Sequence, residues 1–441
     1  MKSSGIPSKI LNDLYSKRGI KPGLVRIKAL LREFQIKRFP FHVIHIAGTN
    51  GKGSTAMMAA KILEACGKKV GLYLSPHLLS VNERISVQGK QISDADFVKY
   101  IKMIYRKLES SKNPLLQEAT FFEILTLASI LYFRDRRVEW AVYEAGMGGR
   151  LDATNVFPSR ICVITDISKE HTEFLGHTIK KIAGEKFAIL KKGAKTVTSV
   201  SPALLEKVPG KKVFGSKRFF QLKRNFQVDV LEKDIFHQNI FYRDDPGGLF
   251  FQARVPSPVR VQAKNASLSI KACFEAVGKD MARDSFIAAC RRALSCLQLP
   301  GRFQILRKNP YFIIDVAHNA SGVSALVKTI LSLDIRGDWC IIFGVLKDKK
   351  YQMMFAHLRK LSNDFIFVRA LSERALGPNE MLRKLKKRWK RLKVNVIEDI
   401  QQALEFCKRR KSAKNILVCG SFFVAGPVLG CLARTKRRIV L

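Results

Sequence analysis

Disulfide frameworks and zinc ribbons both need cysteines in registered pairs, and this chain has none. Its nine cysteines stand at 66, 162, 273, 290, 296, 340, 407, 419 and 431, an odd number without a CxxC spacing. That pattern argues for a reducing compartment and against a cysteine-bound metal. Long uninterrupted apolar runs are missing as well. The segment 121–133 (FFEILTLASILYF) contains Glu123 and is shorter than the ~20 residues a spanning helix needs. The segment 416–433 (ILVCGSFFVAGPVLGCLA) reaches 18 residues but holds three glycines and Pro427, and reads as a buried strand plus turn. The amino-terminal MKSSGIPSKILNDLY lacks the apolar stretch of a signal peptide. The expectation is a cytoplasmic protein with no membrane partner.

Acidic residues are scarce: 36 Asp+Glu against 79 Lys+Arg leave a formal charge of +43. The densest basic clusters are 383–393 (RKLKKRWKRLK), 408–414 (KRRKSAK) and 436–438. In the first, Leu382, Leu385, Trp389 and Leu392 fall at helical spacing, so the run reads as an amphipathic helix with a solvated basic face. The excess is also spread along the whole chain. This suits acidic small-molecule substrates better than dedicated nucleic-acid binding, which is not expected.

What is present is enough apolar residue for a large core. Hydrophobic residues make up 47% of 441, which excludes a wholly disordered chain and implies two or three domains. Strand-like runs at 41–46, 70–74, 138–144, 161–165, 312–316, 339–343 and 416–419 alternate with helical stretches. The alternation predicts an α/β architecture with largely parallel sheets, and no internal repeat interrupts it. Leu299-Pro300-Gly301 is the best domain boundary, giving 1–298 and 299–441.

The sharpest chemical signal is HIAGTNGKGST at 45–55, between a predicted strand and a helix running from Ser54 to Cys66. Glycines 48, 51 and 53 let backbone N–H groups approach phosphate oxygens, Lys52 adds a point charge, and the helix N-terminus adds its dipole. The spacing fails the common GxxxxGK[ST] pattern. A nucleotide phosphate loop also calls for magnesium, and hard oxygen ligands are wanted at the carboxyl ends of the strands. Glu144 ends a strand and Ser75 follows one.

The string GTNGKGS resembles the phosphate loop of the Mur ligase superfamily, and of its folylpolyglutamate synthase and dihydrofolate synthase branch in particular. Further fragments run in the same order across residues 41–426: Ser75-Pro76-His77-Leu78, Glu83-Arg84-Ile85, Thr120-Phe121-Phe122-Glu123, EAGMGGRLDATN at 144–155, His171, Glu185-Lys186, Gln262 with Asn265-Ala266, Leu299-Pro300-Gly301-Arg302 and DVAHN at 315–319. The fold implied is a Mur-ligase-like P-loop ATP-binding domain followed by a smaller Rossmann-like α/β domain.

The resemblance implies ATP held by Thr49, Asn50, Gly51, Lys52, Gly53, Ser54, Asn265, Arg302 and Asp315, with His318 near the reacting phosphate. It implies magnesium on Ser75, Glu144 and His171, supported by a carbamate on Lys186. It also implies a pterin pocket lined by Thr120, Phe121, Phe122, Glu123, Leu151, Asp152 and Ala153, with a looser match at Asp13-Leu14-Tyr15-Ser16. Lys52, Lys186 and His318 are the implied catalytic groups. The implied reaction joins L-glutamate to the carboxylate of dihydropteroate or a folate through an acyl phosphate; a monomer is expected. Rival readings are a peptidoglycan-precursor ligase and a basic nucleic-acid-binding ATPase. The chain departs from the branch at Glu170, where Asp is usual, at Phe187-Ala188, and at Asp348-Lys349-Lys350.

Overall fold

The computed structural model describes residues 7–17, 19, 21–208, 216–389, 392–409 and 414–435. The chain divides into two units. The first takes residues 1–229, 239–255 and 263–297, the second 230–238, 256–262 and 298–441. The second unit therefore begins close to the expected boundary but also draws in two short segments from inside the expected first domain. A boundary read along a linear sequence has no means of showing such excursions.

The first unit is built on eight strands: β1 (His42–Ala47), β2 (Val70–Tyr73), β3 (Ile85–Val87), β4 (Lys90–Gln91), β5 (Trp140–Glu144), β6 (Ile161–Ile164), β7 (Lys195–Thr198) and β8 (Phe219–Gln221). Their spatial order is β4-β3-β2-β5-β1-β6-β7-β8. β1 sits between β5 and β6, parallel to both, while the β3 and β4 edge is antiparallel. Runs such as VIHIA bury every residue because helices cover the sheet, which is why these strands read as continuous apolar stretches. The membrane-like segment at 121–133 lies in the helix Phe121–Asp135, twelve of whose residues are buried. It is a core helix. No helix among the described residues is long and apolar enough to cross a membrane.

Three further strands, β9 (Gln227–Lys233), β10 (His237–Asp244) and β11 (Leu249–Pro256), form a separate sheet in the order β11-β10-β9. The second unit carries β12 (Gln304–Lys308), β13 (Tyr311–Ile314), β14 (Trp339–Phe343), β15 (Asp364–Phe367), β16 (Lys393–Val396) and β17 (Asn415–Cys419), ordered β12-β13-β17-β14-β15-β16. All neighbours there are parallel except the β12–β13 pair.

Two expectations are corrected here. Residues 416–433 are a strand followed by a helix, Phe422–Thr435, that continues through Pro427. Proline removes the N–H that would bond to the carbonyl four residues back. That carbonyl, Phe423 O, accepts instead from Leu371 N at 2.9 Å. The basic run at 383–393 is not one helix either: Pro378–Lys386 is helical and then ends. Trp389 still packs, its ring 5.1 Å from Phe355, so the apolar spacing reported core contacts beyond the helix. Residues 390–391, 410–413 and 436–438 of the basic clusters lie outside the described residues.

Candidate active site

The phosphate loop leaves the end of β1 and enters the helix Lys52–Ala65, which starts two residues before the expected Ser54. Its shape depends on two glycines. Gly48 has φ +149°, and a Cβ there would collide with Thr165 Oγ1; Gly51 has φ +85°, and a Cβ there would collide with Asn265 Oδ1. Both conformations are costly for residues with a side chain.

Distant segments hold the loop. Asp166, just past β6, accepts the Asn50 N–H through Oδ1 at 2.6 Å, and its carbonyl accepts the Thr49 N–H at 2.9 Å. Thr165 Oγ1 donates to Asn50 O at 2.7 Å. Lys52 Nζ donates to the carbonyls of Gly48 and Thr49, both at 3.1 Å. Ser54 is buried in the first helical turn. Asn265, in the helix Val261–Ala276, packs against Gly51, so six consecutive loop residues and a side chain over 200 positions later share one place in the first unit.

Ser75 and Glu144 are brought together at the carboxyl edge of the sheet, where Ser75 N donates to Glu144 Oε2 at 2.9 Å. Glu144 is 5% exposed and faces Gly53, 3.3 Å from where a Cβ would lie. This carboxylate beside a phosphate loop, with a serine at its side, is a hard-oxygen set of the kind magnesium or manganese takes. His171 caps the short helix Thr172–Leu175 from a left-handed conformation, φ +46°. Among the described residues, no group of three or more His, Cys, Asp or Glu side chains is placed to hold a metal ion.

Lys186 lies beneath the loop, 1% exposed, and donates to Gly48 O at 2.7 Å and to Glu170 Oε1 at 2.8 Å. Burial pulls its ammonium below the usual lysine range, with Glu170 acting against that shift. Burial pushes the Glu170 carboxyl up, but the positive charges of Lys186, Lys52 and His171 together overcome it and hold the group down at about 2. The longer carboxylate that departs from the branch pattern is therefore the one that reaches the lysine.

The residues expected around a pterin divide into two groups. Phe122 is half-buried, 5.8 Å from the Tyr73 ring, and its own ring occupies the space a Gly146 side chain would need. Phe121 is buried, with the Arg84 guanidinium 5.0 Å above it and Tyr15 at 5.7 Å. Leu151 O accepts from Gly23 N at 3.2 Å, and Ala153 is buried. Thr120 and Glu123 instead form the capping box of the helix Phe121–Asp135. Glu123 is also gripped by Arg26 Nε, 3.1 Å from each carboxylate oxygen. Asp152 Oδ1 accepts from Thr154 N at 3.0 Å, and Oδ2 from Met147 N at 2.9 Å; burial raises its carboxyl above the ordinary range.

Among the second unit's candidates, Arg302 and His318 both rest on the Phe422 ring, at 5.0 and 5.8 Å. Asp315 Oδ2 accepts from Phe303 N at 2.8 Å and Oδ1 from Ala317 N at 2.7 Å. Burial raises this carboxyl too, with Arg302 opposing. Asp348 pairs with Lys349 at 3.0 Å.

Arg26 and Asp166 were not found by sequence reading. Asp166 had a usable signal, a carboxylate at the carboxyl end of a buried strand; Arg26 had none, because its partner is 97 residues away.

Residues 46–272 match the Mur ligase middle domain and residues 301–422 the glutamate ligase domain of Mur ligases. The dihydrofolate synthase/folylpolyglutamate synthase of Bacillus subtilis (strain 168) is 31% identical over 415 residues, 92% of this chain and 94% of the relative. Folylpolyglutamate synthase of Mycobacterium tuberculosis complexed with ADP superposes with a TM-score of 0.85 at 29% identity, covering 98% of each chain. A bifunctional folylpolyglutamate synthase/dihydrofolate synthase with Mn, AMPPNP and L-glutamate bound gives 0.80 at 25% identity, covering 97% of this chain and 98% of the other.

Proposed function

The chain belongs to the Mur ligase family, in its dihydrofolate synthase/folylpolyglutamate synthase branch, and we propose that Lys52, Asn265 and the loop 49–54 hold the ATP with which it acts as a glutamate ligase. The observation that carries this is the convergence, in one unit, of the phosphate loop, Asn265 and the Ser75–Glu144 pair. The relatives bear folate-ligase names, which sets aside the peptidoglycan-precursor reading.

A carboxylate and an amine do not condense usefully in water, so the acceptor carboxylate is first phosphorylated by the γ-phosphate of ATP. Glutamate's amino group then attacks the acyl carbon, forming the amide and releasing phosphate. Lys52 and the loop N–H groups offset triphosphate charge and hold the γ-phosphate against the acceptor. Arg302, Asp315 and His318 are assigned to the nucleotide, Arg302 as a forked phosphate donor. Phe121, Phe122, Leu151, Asp152 and Ala153 are assigned to the pterin, with Thr120 and Glu123 shaping that wall. Ser75, Glu144 and His171 would hold Mg2+, which supplies further charge neutralisation when bound. Lys186 is assigned a carbamate, formed when its neutral amine adds to carbon dioxide and loses a proton. We take the protein to be a cytoplasmic monomer.

The deciding experiment measures phosphate release with ATP and glutamate while dihydropteroate, tetrahydrofolate or RNA is added in turn. Stimulation by either pterin acceptor and none by RNA is expected; RNA stimulation alone would sink the reading. Lys52→Ala should abolish ligation with circular dichroism unchanged, because the side chain adds charge to a phosphate site and no core volume.

A further inference from the structure

A buried hydrogen-bond chain links the strand leading into the phosphate loop with the acceptor loop. His45, in β1, has 0% exposure, and its Nε2 lies 2.7 Å from Thr154 Oγ1. Thr154 Oγ1, also buried, lies 2.5 Å from Asp152 Oδ1. A hydroxyl has one proton to donate, and a carboxylate only accepts. Thr154 therefore donates to Asp152 and must accept from His45, which puts the imidazole proton on Nε2. His45 Nδ1 is then an acceptor, and it is a buried atom without a hydrogen-bond partner. Burial, with Lys191 second, keeps the ring neutral by holding its pKa near 3. Both oxygens of Asp152 are thus tied on the protein side, by Thr154 and by Met147, which fixes the plane of the carboxylate.

We propose that His45 is a positioning residue for acceptor binding, acting through Thr154 to orient Asp152 so that its remaining lone pairs meet the N–H donors of the acceptor's heterocycle. Nothing in the phosphate-loop motif calls for a buried histidine at this strand position, and an aliphatic residue would fill the core without leaving Nδ1 unpaired. The inference rests on the reading that Asp152 lies in the acceptor pocket.

Three variants of the full chain test it by steady-state kinetics. Thr154→Val keeps the volume and removes the hydroxyl; it should raise KM for the pterin acceptor by about tenfold, the usual weight of a hydrogen bond to a charged group, with KM for ATP unchanged within about twofold. Thr154→Ser should restore the acceptor KM, which a purely structural role for the methyl group would not allow. Asp152→Ala serves as reference and should weaken acceptor binding more than ATP binding. If Asp152→Ala raises the acceptor KM and Thr154→Val does not, the inference fails and the pocket stands. If Asp152→Ala leaves the acceptor KM unchanged, the pocket reading fails and takes the inference with it. Nitrogen-15 NMR of the unmutated protein decides independently of any folding defect: an Nε2–H tautomer at His45 is expected, and an Nδ1–H tautomer overturns the proposal.

Discussion

Two lysines in the first unit are equally buried, each 1% exposed, and their surroundings differ in a way that separates architecture from chemistry. Lys271 meets two carboxylates, Asp244 at 2.7 Å and Glu275 at 3.1 Å, and lies 4.2 Å from the face of Phe220. Lys195 and Lys279 approach Glu275 from the other side, at 2.9 and 3.1 Å. This network ties the ends of β10 and β7 to the helix Val261–Ala276. Lys186 forms one ion pair among the described residues, with Glu170, and spends another hydrogen bond on the carbonyl of Gly48, the first glycine of the phosphate loop. A buried cation with a grip on a functional loop is where perturbed chemistry is expected.

The comparison can be broken most forcefully at Lys271. Lys271→Met strands the Asp244 carboxylate without a counter-charge, while Glu275 retains two lysines, so a loss of about 3–5 kcal/mol in unfolding free energy is expected. Denaturant titration measures it. Adding Asp244→Leu should recover much of the loss, since replacing a buried pair with apolar residues is often close to neutral. Turnover per folded molecule should stay near normal; a hundredfold drop there would mean the cluster is not merely architectural.

Lys186→Ala should show the opposite profile. Ligation is expected to fall about 10²–10³-fold, the scale for losing one preorganised electrostatic group at a reacting centre, with a smaller change in stability. Short carboxylates such as formate or acetate should restore part of the activity by entering the vacated space, as the carbamate assignment requires. In its ammonium form Lys186 is already balanced by Glu170, so modification places two anions side by side and fits only if a bound cation offsets them. Mass spectrometry that finds no added carbon dioxide, together with no rescue, would leave Lys186 as an ammonium brace for Gly48.

Much of this was legible beforehand, for physical reasons that also mark where reading stopped. Buried parallel strands announce themselves as short apolar runs, so β1, β2, β5 and β6 were expected within a residue or two of where they lie. Glycines forced by positive φ announced the phosphate loop. Partners supplied from far along the chain were not legible: Asp166 on Asn50 and Thr154 on His45 depend on sheet order, and Arg26 on Glu123 depends on the packing of two helices. The helix through Pro427 was not legible because a tertiary contact replaces a local one: the Phe423 carbonyl that proline frees bonds to Leu371. The capping box at Thr120 and Glu123 was missed for a different reason. Its T-x-x-E spacing is readable, but the same four residues also carry the family resemblance.

Thr120 is also where the smallest effect gives the finest test. Its hydroxyl is 3.4 Å from the Glu123 N–H, and Glu123 Oε2 returns the contact to Thr120 N at 2.8 Å. In Thr120→Ala the first turn of the helix Phe121–Asp135 loses its cap, while Glu123 keeps Arg26. The expected loss is about 1 kcal/mol, the usual value for removing a threonine N-cap, readable by thermal melting. If Thr120 shapes the acceptor wall only through this cap, KM for the pterin acceptor should rise less than about threefold, since the helix is buried along its length and held by Phe121 and Phe122 as well as by the cap. A tenfold rise without a matching drop in stability would instead make Thr120 a direct ligand. The helix N-terminus would then face the substrate, as the Lys52–Ala65 helix is proposed to face the nucleotide.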